Sequence, residues 1–311
     1  MVVLLLVAGY FTYELAKGRN PLQRFTGTLQ KTDTATATPA PAPVQTAPAP
    51  VPEPQPATPP GEMPLVLSAP PRESAEDGDE RFGPMAEYLS QTLGRKVVYK
   101  HPGTWGGYQS DMQNGVYDIV FDGPHFVGWR VEKLGHSVLA RLPGEFLYVG
   151  FVRKDNTGIK DIKQLAGQTV CVHALPNLGT LMLLSEFGNP ARQPVIVITK
   201  GYSNIYQGVS EGKCVAGMLP KVHLKKHDIS GTYMRIMYSH RSIPEQAITA
   251  GLRLSADEQA KITEALLTPG TEATLAAFRE AYAFGGWFVR ASNAEYAGLG
   301  AYLKPVQGFY N

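Results

Sequence analysis

Four histidines in this 311-residue chain fall in loops that the predicted topology directs toward a cleft: His101, His125, His173 and His240. Neutral imidazoles that converge on one cleft are good ligands for zinc, copper or iron. Imidazoles that donate a proton, together with Arg241 beside His240, would equally suit an oxyanion. A third interpretation is that they are separate loop histidines with local hydrogen bonds. No HExxH or CxxC spacing strengthens the metal hypothesis.

Three aromatic residues lie near the same loops. Trp105 and Tyr108 follow the glycine-rich turn 103–107, and Tyr202 follows Gly201. Aromatic side chains at such places either line a ligand pocket or pack into the ordinary core. The sequence leaves both alternatives open for these residues.

The chain has two cysteines, Cys171 and Cys214. They fall in the first and third predicted strands of the second half of the body, and we expect these strands to be neighbours. A disulfide between them is one outcome in an oxidising compartment, and two buried free thiols are the other. Two cysteines are too few for a disulfide-framework miniprotein or a multi-cysteine zinc cluster.

Motifs for catalysis and for nucleic-acid binding are missing from the sequence. It has no Gly-x-Ser-x-Gly elbow and no Gly-x-x-x-x-Gly-Lys-Ser/Thr loop, and no carboxylate pair stands at a recognisable motif. We therefore predict a protein that is not an enzyme. Lys and Arg number 29 against 27 Asp and Glu, a balance that argues against a nucleic-acid-binding face.

Strands and helices alternate from residue 62 onward. Short apolar runs bounded by Gly, Pro and Asp predict strands, and apolar residues at helical spacing predict the helices between them. This order is typical of α/β proteins with parallel sheets. We predict a hinged two-lobe architecture in which each lobe is a mainly parallel sheet flanked by helices. Lobe 1 comprises residues 62–150 and 245–311, and lobe 2 comprises residues 151–244.

The N-terminal part has a different composition. Residues 1–24 begin with an apolar stretch, which predicts a membrane anchor or a signal-like segment, although this stretch is shorter than a comfortable membrane span. Residues 25–61 are rich in Pro, Ala and Thr and predict a disordered, partly extended stalk. Several basic residues follow the apolar stretch, an order that would by itself favour a cytoplasmic body. A disordered tail on an untethered protein is the alternative.

One ordered series of segments runs through the body: Phe82–Leu89, Gly94–Val97, Asn114–Pro124, Val152–Asp155, Gly158–Asp161, Leu165–Val170 and Glu211–Gly217. Taken together, these segments resemble the phosphate-, phosphite- and phosphonate-type solute-binding proteins of ABC transporters. The resemblance runs through nearly all of residues 62–311. It implies the type II periplasmic-binding-protein fold.

The resemblance also implies site residues. The family's hydroxyl-rich "STSG" turn, which holds phosphonate oxygens at a helix start, corresponds here to residues 176–180. Only Thr180 keeps a hydroxyl there, although backbone N–H groups can still hold an oxyanion. The family's "GSH" turn becomes residues 201–203, with Ser203 in place of the histidine. The expected ligand-binding residues are Trp105, Tyr108, His125, Asn177, Gly179, Thr180, Tyr202, Ser203 and Arg241. Because acidic residues have no clear counterpart near residues 218–220, an aminoalkylphosphonate is not the expected ligand.

The expected function is that of a membrane-tethered, extracytoplasmic solute-binding protein that closes on a small oxyanion. Its expected partners are the oxyanion, an ABC-type permease and, through the N-terminus, the membrane. Its expected location is the periplasmic face of the inner membrane. The alternative is an accessory or sensor subunit of another membrane complex, in which a repurposed fold binds a metal through the cleft histidines. Apart from that metal, no cofactor is expected.

Overall fold

A computed structural model describes residues 63–283 and 286–309 of the chain. The predicted anchor (residues 1–24) and stalk (residues 25–61) lie outside the described residues. Within the described part, no helix is both long enough and apolar enough to cross a membrane.

The first half of the body builds one sheet and its covering helices. Its helix α1 begins where the Ser74 side chain accepts a hydrogen bond from the Asp77 N–H, and ends at Gly94, whose φ of 63° favours glycine. The elements are β1 (Leu65–Ser68), α1 (Ala75–Leu93), β2 (Val97–Tyr99), α2 (Trp105–Gln113), β3 (Ile119–Asp122), α3 (Pro124–Leu134) and β4 (Ser137–Arg141).

The middle of the chain builds the second sheet, after one short strand that lies outside it. This part has a βαβαβ order and ends on a longer strand that leads back toward the first sheet. The elements are β5 (Glu145–Phe146), β6 (Tyr148–Arg153), β7 (Thr169–Val172), α4 (Leu178–Ser185), β8 (Val195–Ile198), α5 (Tyr202–Ser210), β9 (Ala216–Pro220), α6 (Lys221–His227) and β10 (Met234–Ser239). Short 3₁₀ helices lie at Ile162–Leu165 and Pro190–Arg192.

The C-terminal part completes the first sheet. The elements are β11 (Ile243–Pro244), β12 (Ala247–Ala250), α7 (Ala256–Leu267), α8 (Thr271–Thr274), α9 (Ala276–Tyr282) and β13 (Val289–Arg290), followed by 3₁₀ helices at Asn293–Tyr296 and Leu299–Leu303. The Ser255 side chain caps α7 in a capping box with Glu258. Helices α8 and α9 follow it, with Leu275 between them.

Both sheets are mixed rather than mainly parallel, which corrects one detail of the prediction. The first has the strand order β13-β4-β12-β3-β1-β2, and the second has the order β10-β6-β9-β7-β8. The βαβ units give parallel pairs, β1 with β2 and β3, and β7 with β8 and β9. The strands that enter from the other sheet, β12 and β6, pair antiparallel with both of their neighbours.

Two chain segments connect the sheets. Strands β5 and β11 pair antiparallel there as a short ribbon between the sheets. Residues 148–150, which the sequence assigned to lobe 1, pair with β9 and β10 in the second sheet. The chain therefore leaves the first sheet after β4 and has joined the second sheet by Tyr148. The first lobe is the part of the chain built on the first sheet, and the second lobe is the part built on the second sheet.

Each lobe has its own buried core, and one cluster extends across both. Val127 of α3 and Val138 of β4 belong to the same buried cluster as Leu178 and Met182 of α4. Burial of apolar surface at this junction stabilises the arrangement of the lobes.

Cys171 and Cys214 form a disulfide with a Cα–Cα distance of 5.7 Å. Cys171 lies in β7, whereas Cys214 lies just before β9 rather than within a strand. The Val215 N–H donates to the Thr169 carbonyl beside it and so brings the two segments together. Of the two outcomes that the sequence left open, the structure has the disulfide.

Reduction of this disulfide should lower the free energy of unfolding by about 2–4 kcal/mol. The crosslink joins residues 43 positions apart, and such a loop restricts the unfolded chain strongly. Denaturant unfolding with and without reductant measures the effect. The Cys171→Ala/Cys214→Ala variant is the control. Its free energy of unfolding should match that of the reduced protein and should not change when reductant is added. Equal stability of the oxidised and reduced protein would contradict the prediction.

Candidate functional site

Two helix starts from different lobes lie beside one another. Helix α3 of the first lobe begins at Pro124 after the N-cap Gly123, and α4 of the second lobe begins after the N-cap Asn177. The ring Nε2 of His125 lies 3.1 Å from the carbonyl oxygen of Pro176 and so connects the two. The first turn of a helix presents N–H groups without intrahelical partners and a partial positive charge. The cleft between the lobes therefore has anion-binding groups on both sides.

The start of α4 packs closely against the strand that enters the second lobe. The Gly179 N–H donates to Asn177 Oδ1 at 3.0 Å. A Cβ atom on Gly179 would lie 2.6 Å from Cδ1 of Tyr148, so only glycine fits under this ring. Burial raises the pKa of the Tyr148 and Tyr202 hydroxyls, and the two side chains are close enough to affect each other's pKa. The Asn177 side chain also affects the pKa of Tyr202. Three segments of the second lobe thus meet at one point.

Arg72, in the loop between β1 and α1, provides the cationic group of the cleft. Its guanidinium carbon lies 5.8 Å from the ring centre of Phe121 and 5.7 Å from that of Tyr282, and its side chain is exposed. Desolvation by the surrounding protein opposes its charge, but Tyr282, Asp122 and Glu73 outweigh that effect and raise the pKa of Arg72. The side chain is therefore a permanent cation.

The charge of Arg72 acts on residues of both lobes. It influences His125 in the first lobe, Tyr148 and Tyr202 in the second lobe, and Glu245 in the connecting segment. We call these residues, together with Arg72 and Asn177, the cleft cluster. An anion between Arg72 and the start of α4 would be held by both lobes.

Glu245 is the acidic member of the cleft cluster. Burial raises the pKa of its carboxyl to about 7, although the Gln246 N–H and the charge of Arg72 oppose this shift. At neutral pH the carboxyl is therefore divided between its charged and neutral forms. No acidic residue was expected in the site, because the resemblance to the family offered a place for one only near residues 218–220.

A buried polar cluster lies beneath the cleft in the first lobe. The Tyr108 hydroxyl donates to Asp122 Oδ2 at 2.6 Å, and Arg130 Nε donates to the same oxygen at 2.8 Å. Arg130 Nη2 also donates to the Tyr108 hydroxyl at 2.9 Å. All three side chains are fully buried. The structure thus corrects the prediction for Tyr108: it is a core residue, because its hydroxyl pairs with a buried charge.

The other predicted ligand residues are in varied surroundings. Trp105 is 37% exposed at the start of α2 and stacks on Phe126. The Thr180 hydroxyl is buried and donates to the His173 carbonyl, so its hydrogen is not directed at a ligand. Ser203 is exposed. Arg241 lines a separate shallow cavity of about 240 Å³ with Leu181, Ser185, Gly298, Ala301, Tyr302 and Pro305.

The structure does not bring the four predicted metal ligands together. His101 accepts from the Gly103 N–H and contacts the Glu73 carbonyl, and His240 contacts the Arg241 carbonyl and the Tyr302 hydroxyl. His125 contacts Pro176, and His173 packs against the Tyr202 ring. Within residues 63–283 and 286–309, no group of three or more His, Cys, Asp or Glu could hold a metal ion. The metal-site prediction is corrected, because the imidazoles make separate local contacts.

Arg72, Tyr148 and Glu245 are the cleft residues that the sequence analysis missed. Arg72 follows Pro70-Pro71 at the carboxyl end of β1, where ligands of open α/β sheets bind, and this position was the available signal. Tyr148 and Glu245 lie in the segments that connect the sheets, where no motif marks them.

Comparison with known families and structures identifies one family. Residues 67–296 match the family described as "ABC transporter, phosphonate, periplasmic substrate-binding protein". A search of curated protein sequences found no significant match.

Solved structures share the fold at low sequence identity. XAC2383 from Xanthomonas citri bound to ATP is 16% identical, with a TM-score of 0.64 over 79% of this chain and 99% of that one. PhnD1 from Prochlorococcus marinus in complex with methylphosphonate is 17% identical, with a TM-score of 0.60 over 80% of this chain and 99% of that one. A binding protein component of an ABC phosphonate transporter from Pseudomonas aeruginosa is 12% identical, with a TM-score of 0.54 over 76% and 83%. These likenesses confirm the type II periplasmic-binding-protein fold.

Proposed function

Because the chain belongs to the phosphonate periplasmic substrate-binding protein family of ABC transporters, we propose that it closes its lobes on a small oxyanion of the phosphate, phosphite or phosphonate class. The observation that carries this proposal is the position of Arg72. Its guanidinium belongs to the first lobe, yet its charge opposes the rise in pKa that burial causes at Tyr148 and Tyr202 of the second lobe. The Tyr148 ring in turn packs against Gly179 at the start of α4.

The mechanism is hinge closure. Arg72 and the start of α3 approach the anion from the first lobe, and the start of α4 approaches it from the second. An anion that contacts both lobes binds the closed form more tightly than the open form, and this difference shifts the population toward closure. The paired strands β5 and β11 lie in the segments that would bend. No bond of the ligand is made or broken, in keeping with a family of transport proteins.

The ligand class rests on three supports. The family is a phosphonate-binding one, and PhnD1 of the same fold is in complex with methylphosphonate. The cleft cluster of this chain adds a cation beside helix starts, an arrangement that suits a tetrahedral oxyanion. Isothermal titration calorimetry with methylphosphonate, phosphite and phosphate tests the proposal. Saturable binding of at least one anion is expected, and no heat from any of them with folded protein would refute it.

The proposal includes the place of the protein in the cell. Members of the family are periplasmic. The apolar start within residues 1–24 and the proline-rich residues 25–61 support a tether that holds the body at the periplasmic face of the inner membrane, near an ABC-type permease. The test is fractionation of cells that express the full chain. The chain should remain in the membrane fraction after a high-salt wash, and its full release would refute the tether.

One observation favours the second candidate, an accessory or sensor subunit of another membrane complex. Among residues 176–180 the only side-chain hydroxyl belongs to Thr180, in the first turn of α4, and it donates to the His173 carbonyl. The site therefore departs from the hydroxyl-rich turn of the family that the sequence resembles. Purification in mild detergent distinguishes the candidates, because a transporter permease would support the first and a stable complex without a permease would support the second.

A further inference from the structure

His125 is held in one tautomer by its contact with the second lobe. Its Nε2 lies 3.1 Å from the Pro176 carbonyl oxygen, which can only accept a hydrogen bond. Nε2 must therefore carry the proton. Burial lowers the pKa of His125 to about 3, so the ring is neutral and Nδ1 carries a free lone pair.

This lone pair lies at the start of α3 without a partner. Nδ1 is buried and makes no hydrogen bond to any of the residues that the structure describes. The His125 residue is 5% exposed, and Nδ1 would lie 3.3 Å from a Cβ atom on the N-cap Gly123. A buried acceptor that remains unpaired is costly, so this position favours a ligand that can donate a hydrogen bond.

We propose that His125 makes the cleft select oxyanions that carry a proton, with the ligand hydroxyl donating to Nδ1. Arg72 and the N–H groups of the helix starts then hold the unprotonated oxygens. This inference rests on the proposed function, because it assumes that the oxyanion occupies the cleft cluster. It assigns the specificity of the site to a hydrogen-bond acceptor, whereas the remaining groups select only for negative charge.

The expected ligand form follows from lone-pair geometry. A singly ionised phosphonate or phosphate has a hydroxyl that matches Nδ1. A sulfonate of the same shape and charge has only acceptor oxygens, and one of them would face the Nδ1 lone pair. Sites that bind a hydroxyl through hydrogen bonds reject analogues without it strongly, because a buried group is left unpaired.

Other charged groups near His125 also affect anion binding and must be controlled. Arg72 is cationic throughout, and the Asp122–Arg130 ion pair is buried beneath the cleft. Glu245 has its pKa raised to about 7, so its protonation would by itself strengthen anion binding below that pH. For this reason the test compares two anions at one pH and does not rely on a pH profile alone.

The experiment is calorimetric titration of the full chain with methylphosphonate and with methanesulfonate at about pH 6, where methylphosphonate is mainly singly ionised. Methanesulfonate has the same shape and charge, but none of its oxygens carries a hydrogen. Methylphosphonate should bind at least about 100-fold more tightly. His125→Phe, which keeps a ring without an acceptor, should reduce this ratio to less than about tenfold. His227→Phe makes the same substitution at the end of α6, outside the cleft cluster, and should keep the ratio.

Each outcome decides something different. Equal binding of the two anions to the wild-type protein overturns the selection by His125 and leaves the proposed function standing. Binding of neither anion overturns both. A ratio that survives in His125→Phe shows that another group makes the selection, and this too overturns the inference. If His125→Phe fails to fold, the wild-type comparison of the two anions decides.

Discussion

Arg72→Met should weaken methylphosphonate binding by about 100-fold without changing the fold. Arg72 is a cation whose charge acts on residues of both lobes. Hydrogen bonds from a guanidinium to an oxyanion are among the stronger polar contacts in proteins. The side chain is exposed, so its loss should have little effect on stability. Calorimetric titration gives the affinity, and thermal unfolding shows whether the variant is folded.

Arg95→Met is the matched control for this prediction. Arg95 belongs to the same lobe, and its replacement also removes one positive charge. Arg95 is not part of the cleft cluster; its guanidinium forms an ion pair with Glu258 at 3.2 Å. Its affinity for methylphosphonate should be unchanged apart from a small effect of net charge. Unchanged binding in Arg72→Met, or equal losses in the two variants, would contradict the assignment of Arg72 to the anion site.

Arg130→Met should lower the free energy of unfolding by about 3–5 kcal/mol. Asp122 would then be a fully buried carboxylate with only the Tyr108 hydroxyl as a hydrogen-bond donor, and breaking one side of a buried ion pair leaves an uncompensated charge. Urea unfolding measures the loss. The measurement requires no ligand, so it tests the structure of the first lobe independently of the proposed function.

The double variant Asp122→Asn/Arg130→Met separates the ion pair from simple loss of packing. Removing both charges should restore part of the stability that Arg130→Met loses, because no buried charge then remains. A double variant that loses the sum of the two single effects would contradict a coupled pair. It would indicate that Arg130 contributes through the packing of its aliphatic stem alone.

The sequence predicted the repeated local pattern of the fold well. Strands β1, β2 and β3 are short apolar runs that end at Gly, Pro or Asp, and they appear where these signals stand. The same reasoning identified β7, β8 and β9 in the second lobe. Mixed pairing was not predicted, because antiparallel neighbours such as β6 and β9 are about 70 residues apart and no local pattern encodes their direction.

The candidate site was only partly predictable, for a similar reason. The helix start at Asn177 and Gly179 was predictable because it stands within a recognisable segment, and the role of these residues in binding stays a prediction. Arg72 and Glu245 lie far apart in the chain and meet only through the return of the chain to the first sheet. Tyr108 was placed in the ligand pocket because its partners, Asp122 and Arg130, could not be known before the helices were packed.

The histidines show the limit most directly. Their positions after strands favoured a shared metal, an oxyanion or unrelated local contacts, and residue type alone could not decide among these. The decisive facts are hydrogen bonds to backbone carbonyls, such as that from His125 to Pro176. Such contacts depend on backbone placement, which is set by the whole fold.

A crystal structure of the protein grown with methylphosphonate tests the central claim most directly. The account predicts the phosphonate between the Arg72 guanidinium and the first turn of α4, with His125 Nδ1 within hydrogen-bonding distance of one oxygen. It also predicts that the lobes contact the ligand from both sides. A phosphonate bound elsewhere, for example beside Arg241 in the separate cavity, or an empty cleft at saturating ligand, would contradict the account.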